Sequence, residues 1–376
     1  MEKTVSVQHC YDYKFEDVYD AIQKLCDLVP PPNVVGKTVL IKPNILSPKK
    51  PEAAVCTHPV VVGAVVKQFV SLGAKKVLVG ESPATANSTF AAKASGVYDA
   101  VINNGGIWCD FSAETEISEP RAKLAHSFLF AEPFAQADIV VSVAKLKSHQ
   151  FMSYTGAMKN LFGLMVGLKK AQTHYRFQNK ENFGTFLTDL NLAANCQYAI
   201  MDAIVGMDGP GGPGNGNPIP MNFLAASKNI LALDWVCASA AGYDPIEVPN
   251  LKDALLRNYW LSDPSEIEIL GGTLEDIRCK TFKAVHSTNA AITLGKMLPP
   301  GIDNLAKILF EKNPHFNKTK CITCGKCIEI CPAKILSFET NSKTKKRYVS
   351  IQRKKCLRCY CCHEICPVEA ITLRRF

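Results

Sequence analysis

Long hydrophobic runs are missing from this chain. Nowhere in its 376 residues do about 18 apolar residues follow one another, and roughly that many are needed to cross a bilayer as a helix. No membrane partner is therefore expected. Met1-Glu2-Lys3-Thr4 runs into an alternating stretch with no apolar core region, so no secretory signal is read there. Nucleotide signatures are missing too. No G-x-G-x-x-G opens a helix after a strand and no P-loop pattern occurs, which leaves NAD, FAD and ATP without a warrant in their usual modes. The body of the chain also lacks an excess of either charge. Residues 318–376 hold 14 of the 43 Lys and Arg but only 4 of the 34 Asp and Glu, so the net charge of +9 belongs to the C-terminal segment. Basic runs such as 343–347 and 353–355 read first as solvated turns or a docking face, and nucleic acid is not an expected partner.

Cysteine is plentiful, at 16 residues. Cys10, Cys26, Cys56, Cys109, Cys196, Cys237 and Cys279 are scattered and form no C-x-x-C. They read as reduced thiols of a cytoplasmic protein, in an anaerobe. The C-terminal cysteines are different. Cys321, Cys324, Cys327 and Cys331-Pro332 form C-x2-C-x2-C-x3-C-P, and Cys356, Cys359, Cys362 and Cys366-Pro367 repeat it. That spacing holds [4Fe–4S] clusters, three thiolates coming from one run and the fourth from the other. Cluster one then takes Cys321, Cys324, Cys327 and Cys366. Cluster two takes Cys356, Cys359, Cys362 and Cys331. A zinc ribbon would need cysteine pairs rather than two quartets each closed by Cys-Pro. Cys361 sits beside Cys362 and competes with it, but the x2 spacing favours Cys362. From about Lys318 to Phe376 the segment resembles a bacterial two-cluster ferredoxin. Its basic excess partly offsets the negative clusters, and the remainder suits an acidic electron donor.

Upstream, strands and helices alternate. Thr4–Cys10 reads as a strand and Phe15–Val29 as a helix stopped by Pro30-Pro31-Pro32. Thr38–Ile41 is a short buried strand leading into Lys42-Pro43-Asn44. Thr57 serves as N-cap of a helix that runs from Pro59 to Leu72 and stops at Gly73. Lys76–Val79, Asp138–Val143 and Tyr198–Val205 are further strands. Helical spacing covers Leu161–Lys170, Phe183–Ala194 and Ile230–Ala241, and Phe223–Ala226 and Ile267–Leu270 look like late strands. This order predicts an α/β fold built on a parallel sheet, residues 1–312, followed by a small α+β two-cluster ferredoxin-like domain, 313–376. Pro299-Pro300-Gly301 and Asn313-Pro314 mark the linker. The glycine-rich run Gly206–Pro220 reads as a lid or a shaped covering loop.

Ligands of open parallel sheets bind beyond the carboxyl ends of the strands. Three strands here end in unusual polar residues: Lys42 and Asn44, Glu81 and Ser82, and Lys145, Lys147 and His149. A fourth carries Asp202. Each has a bland reading: a solvated lysine, a helix-capping His58, a Glu81 paired with a neighbouring lysine, an Asp202 that holds loop amides. Together they would hold an anion and move a proton. Thr155 and Gly156 read as the start of a helix whose amides face an anion, with Lys159 and Asn160 on its first turns.

Five phrases, Val39-Leu40-Ile41-Lys42-Pro43-Asn44, Thr57-His58-Pro59, Gly80-Glu81-Ser82-Pro83, Lys145-Leu146-Lys147-Ser148-His149 and the stretch from Thr155 to Gly163, resemble the domain of unknown function 362 over roughly residues 35–245. The resemblance implies an α/β domain working with iron–sulfur clusters and supplies no substrate. It implies site positions at Lys42, Asn44, His58, Glu81, Lys147, His149, Lys159 and Asn160. The combined expectation is an iron–sulfur oxidoreductase. Two [4Fe–4S] clusters take electrons from a low-potential donor such as ferredoxin or flavodoxin and reduce a small anionic substrate. Lys147, His149, His58 and Glu81 are the catalytic candidates, and Lys42, Asn44, Lys145, Lys159, Asn160 and Asp202 the substrate-binding ones. A flavin would gate single electrons into pairs, although it has no signature here. The alternative is a non-catalytic electron-transfer subunit that docks a partner enzyme.

Overall fold

Val39-Leu40-Ile41, Val77-Leu78-Val79 and Ile139-Val140-Val141 are each at most 5% exposed. They are apolar on both faces, as strands covered on both sides must be. The computed structural model describes residues 2–84, 86–286, 312–342 and 345–374. The chain divides into two compact units, Met1–Lys170 with Asn179–Val285, and Ala171–Gln178 with His286–Phe376.

The larger unit is mixed α/β around a mostly parallel sheet. Its strands are β1 (Thr4–His9), β2 (Thr38–Pro43), β3 (Lys76–Glu81), β4 (Ile107–Asp110), β5 (Glu114–Ser118), β6 (Ser127–Ala131), β7 (Ile139–His149), β8 (Ser153–Thr155), β9 (Tyr198–Asp208), β10 (Asn217–Ser227) and β11 (Glu268–Leu270). Nine of them form one sheet in the order β11-β1-β10-β9-β7-β2-β3-β4, with β8 paired to β7. The run β9-β7-β2-β3-β4 is parallel throughout. On one face, helices Phe15–Leu28 and Pro59–Ser71 bury Ile22, Leu25, Val62 and Phe69 in a core shared with Val39, Ile41 and Val141.

Several sequence expectations change. The sheet is not wholly parallel, because β10 runs antiparallel to both β9 and β1. The segment Gly206–Pro220 is not a lid. β9 continues to Asp208 and β10 begins at Asn217, so both ends of the run are laddered, from Asn217↔Asp208 to Pro220↔Val205, and residues 209–216 make the turn of a hairpin. The ladder satisfies backbone groups that a loose loop would leave to water. Leu161–Lys170 is not one helix either. A 3-10 turn, Leu161–Leu164, is separated from helix Lys169–Arg176 by Gly167 in the left-handed region, φ 56. Pro299-Pro300-Gly301 lies outside the described residues. Asn313-Pro314, expected in the linker, opens a strand.

That strand, β12 (Asn313–Phe316), pairs with β15 (Ile371–Arg374), and β13 (Leu336–Thr340) pairs with β14 (Arg347–Ile351). Short helices Lys326–Glu329 and Cys361–Glu364 follow the cysteine loops. In the smaller unit the described residues from 312 onward are thus two copies of strand, cysteine loop, short helix, strand. Matching places in the copies share left-handed backbone: Thr323 and Arg358, Gly325 and Tyr360, Lys334 and Glu369.

Gly80 lets the end of β3 close on Phe111, since a Cβ there would lie 2.1 Å from the ring. Gly80→Ala should cost about 1–3 kcal/mol through overpacking. The cost would appear as a lower urea midpoint at unchanged slope. An unmoved midpoint would show that the Phe111 ring is free to swing aside.

Candidate functional site

The four parallel neighbours β9, β7, β2 and β3 bring their carboxyl ends together, and with them most of the residues singled out in the sequence. Lys145 pairs in register with Asp202, and Lys42 with Ser142. Lys42, Lys145 and Lys147 are each at most 1% exposed. A buried ammonium needs compensating partners, and each of the three has a nest of them.

Lys42 Nζ donates to the Glu81 carboxylate, to Asn160 Oδ1 at 2.8 Å and to Pro43 O at 2.9 Å. These partners use all three ammonium protons. In this arrangement Lys42 orders Glu81 and Asn160 and has no donor left over for a ligand. Glu81 also accepts the amides of Ser82 and Ile45, and Asn160 Nδ2 donates back to Lys42 O and Ser142 Oγ. Gly163 makes room for the pair, since a Cβ there would meet Glu81 Oε1 at 2.1 Å. In the second nest Lys145 Nζ donates to Asp202 Oδ2 and to Tyr13 OH, both at 2.9 Å. Tyr13 OH donates to Asp202 Oδ1 at 3.0 Å, and the His58 amide donates to Oδ2 at 2.9 Å. The rings of Tyr13 and His58 stack 3.5 Å apart. In the third, Lys147 Nζ donates to Asn44 Oδ1 and Val55 O, both at 2.6 Å.

Burial pulls Lys42 and Lys145 below the ordinary lysine range, and the facing carboxylates oppose it. Burial also pushes His58 down to about 4, so its imidazole is neutral at pH 7. Its Nδ1 accepts the Val60 amide, which makes His58, not Thr57, the cap of helix Pro59–Ser71. Thr57 Oγ1 instead donates to Val143 O and accepts the Asn44 amide. His149 Nδ1 accepts the amides of Phe151 and Met152 and holds the turn between β7 and β8. A proton supply from His58, expected from the sequence, does not fit a ring that stays neutral to about 4.

The expected anion site at Thr155 is also corrected. Gly156 precedes the short helix Ala157–Asn160, and the amides of Ala157 and Met158 donate to Asp234 at 2.7 and 2.9 Å. The chain's own carboxylate occupies that place, with burial raising it to about 7. Lys159 is half-buried on the same helix. Sequence reasoning passed over Tyr13, Ser142, Asp234 and Lys170. Lys170 Nζ donates to Ser82 O and to Met165 O, and burial lowers it to about 8. Tyr13 lies 189 residues from Asp202, and no spacing rule spans that distance.

In the smaller unit, Cys321, Cys324, Cys327 and Cys366 line one hollow. Cys331, Cys356, Cys359 and Cys362 line another. These are the two quartets read from the spacing. Cys361 lines neither, and its thiol lies 3.9 Å from Cys359 O. The Ala370 amide donates to Cys366 Sγ at 3.2 Å, a bond of the kind that tunes cluster potentials. Among the described residues no three His, Cys, Asp or Glu close on a point as a single ion requires. A cuboidal cluster spreads its thiolates around a cage, so the quartets fit it all the same.

Two outcomes check this geometry. Replacing Lys42 by Met leaves Glu81 buried and unpaired, at a cost of about 3–5 kcal/mol. The Lys42→Met/Glu81→Gln double variant should recover part of that in a denaturation cycle. A single-variant cost below about 1 kcal/mol would mean that the pair is solvated. For His58, nitrogen NMR should find a neutral ring from pH 8 down to about 5. Its folded value lies below the ordinary 6.5. Its contribution to stability is therefore present above 6.5 and is lost as pH falls toward about 4.

Comparison with known proteins agrees with this layout. The profile of a domain of unknown function, DUF362, matches residues 39–239, and that of a 4Fe-4S dicluster domain matches residues 320–370. A thylakoid-associated protein of Synechocystis sp. is 34% identical over 224 residues, which are 57% of this chain and 66% of that protein. The lactate racemase apoprotein of Thermoanaerobacterium thermosaccharolyticum is 16% identical, with a TM-score of 0.39 over 64% of this chain and 57% of its own. A Thermotoga maritima protein is 10% identical, with a TM-score of 0.33 over 53% of this chain and 52% of its own. No helix among the described residues is long and apolar enough to cross a membrane. The chain carries a ferredoxin-type module for iron–sulfur electron transfer, and by the extent of its match it belongs to the DUF362 family.

Proposed function

We propose that this protein is a ferredoxin-coupled reductase. Its substrate would be a small anion bound at the carboxyl ends of β2, β3, β7 and β9. The observation that carries the reading is the gathering of Lys42, Lys145 and Lys147, each at most 1% exposed, on one edge of one sheet, in a chain that also carries a 4Fe-4S domain. Buried ionisable groups cost stability, and they concentrate where chemistry needs shifted acidities. Fusion to an electron carrier raises the carrier's effective concentration at the acceptor.

Two [4Fe–4S] clusters are proposed, the first held by Cys321, Cys324, Cys327 and Cys366 and the second by Cys356, Cys359, Cys362 and Cys331. Such a cluster supplies single electrons at low potential, and two together hold the pair that most reductions need. A flavin without a sequence signature is the other way to pair them. The protein's own groups handle charge and protons. Lys42 holds Glu81 in place, Asp202 opposes the loss of charge that burial imposes on Lys145, and Lys147 aligns Asn44. Lys170, near Glu81 and with its acidity raised to about 8, suits a general acid at neutral pH better than His58 does.

The test reduces the protein anaerobically and mixes it with pools of oxidised or unsaturated metabolites. Reoxidation is followed in the thiolate-to-iron absorption. One small molecule should reoxidise the protein quickly. Lys170→Met should slow that by about 10²-fold or more, and Cys327→Ser should abolish it while substrate still binds. Reoxidation by protein fractions alone would replace this reading with the non-catalytic electron-transfer subunit.

A further inference from the structure

The two copies within the smaller unit share a backbone, so the places where their side chains differ are informative. Thr323 and Arg358 occupy the same place, the second residue between the first two cysteines of each run. Both are left-handed, with φ of 54 and 57. Their surroundings are unlike. In the first copy Ile322 is 59% exposed and Cys324 is exposed. In the second, Leu357 and Cys359 are half-buried, and Arg358 and Tyr360 are each 8% exposed.

Arg358 lines the hollow formed with Cys331, Cys356, Cys359 and Cys362. Its Nη1 donates to Cys356 O at 2.6 Å and to Arg353 O at 3.4 Å. Its Nε is buried and has no hydrogen-bond partner among the described residues. A guanidinium is charged at every pH that a folded protein meets, so this is a fixed positive charge with one donor unspent, at the wall of a cysteine-lined cavity. Buried donors rarely go unpaired, and one that does calls for a partner the protein chain does not supply.

We propose that Arg358 is the counter-charge of the second iron–sulfur site. Reducing a cluster by one electron from a low-potential carrier protein adds one negative charge, with no bond made or broken. Where water reaches the site, solvent screens that charge. The first copy, with Cys324 in solvent, places an uncharged Thr323 at this position. The second copy is less open there, with Leu357 and Cys359 half-buried, and an uncompensated charge is costlier. Arg358 supplies the compensation in the protein itself. It attracts the reduced cluster more than the oxidised one and so raises the reduction potential of that site. Arg358 is not a ligand and acts on the site only through its charge and its free N–H. The inference rests on the two-cluster reading proposed above.

The experiment is a redox titration of the full chain, loaded with iron and sulfide under anaerobic conditions and followed by electron paramagnetic resonance. In Arg358→Thr and Arg358→Gln one cluster should become harder to reduce, its reduction equilibrium falling by about tenfold or more, while the other is unmoved. Arg358→Lys, which keeps the charge, should retain most of the original value. Should the Thr variant fail to load, the Gln variant, which keeps a donor without the charge, decides the matter. Two clusters with unchanged potentials in the Thr or Gln variant would overturn the assignment of Arg358. Iron for only one cluster in the unaltered protein would remove the two-site reading itself, and the inference with it. The iron count tells these two failures apart.

Discussion

A charge inside a protein must be met by the protein. Lys42, Lys145 and Lys147 are sealed from water at the edge of one sheet, and much of the local structure follows from that. Glu81 and Asp202 are placed to balance Lys42 and Lys145. Asn160 is turned toward Lys42 by a short helix, and Asp234 ties down the first amides of that helix. Gly163 carries no side chain because Glu81 and Lys42 occupy the space one would need. The parallel register of β7 with β9 sets Lys145 beside Asp202, and a slip of one residue would turn the two side chains to opposite faces.

The smaller unit meets the same constraint with a different solution. Four thiolates around an iron–sulfur core would be a concentrated negative charge, and a backbone amide, that of Ala370, already donates to Cys366 Sγ. The unit also has a basic composition, 14 of the chain's 43 Lys and Arg in residues 318–376. Its duplicated backbone keeps the cysteine geometry in both copies. The side chains around it are free to differ, as Thr323 and Arg358 do. Duplication thus fixes where each cysteine run is held and leaves its surroundings to single residues.

Much of this was legible in the sequence because the signals are local. The cysteine quartets are spacing within a dozen residues, and the hollows contain the same eight residues that the spacing names. The alternation of apolar runs with helical periods marked β1, β2, β3, β7 and β9. The polar strand ends, Lys42, Glu81, Lys145 and Asp202, stood out because charge is unusual directly after such runs. Misreadings came where two local rules competed. Glycine and proline between 206 and 220 suggested a loop, yet an antiparallel ladder claimed both ends of that segment and left only 209–216 as the turn. Thr57 and Thr155 were plausible caps, but His58 and Asp234 took those roles.

What the sequence determined by itself was the iron–sulfur module, the α/β class and the set of residues at the strand ends. Each depends on neighbours a few positions apart, whose relative placement the covalent chain imposes. Only the tertiary structure decided how those residues are used. Lys42 has its three donors spent on Glu81, Asn160 and Pro43, and Tyr13 reaches Asp202 across 189 residues. His58 is driven neutral by burial, and Arg358, one of many basic residues near the C-terminus, lines a cysteine-lined hollow with an unspent donor. Burial and long-range hydrogen bonding are properties of the packed chain, and they set the charge and the free valence of a side chain, which its identity alone does not.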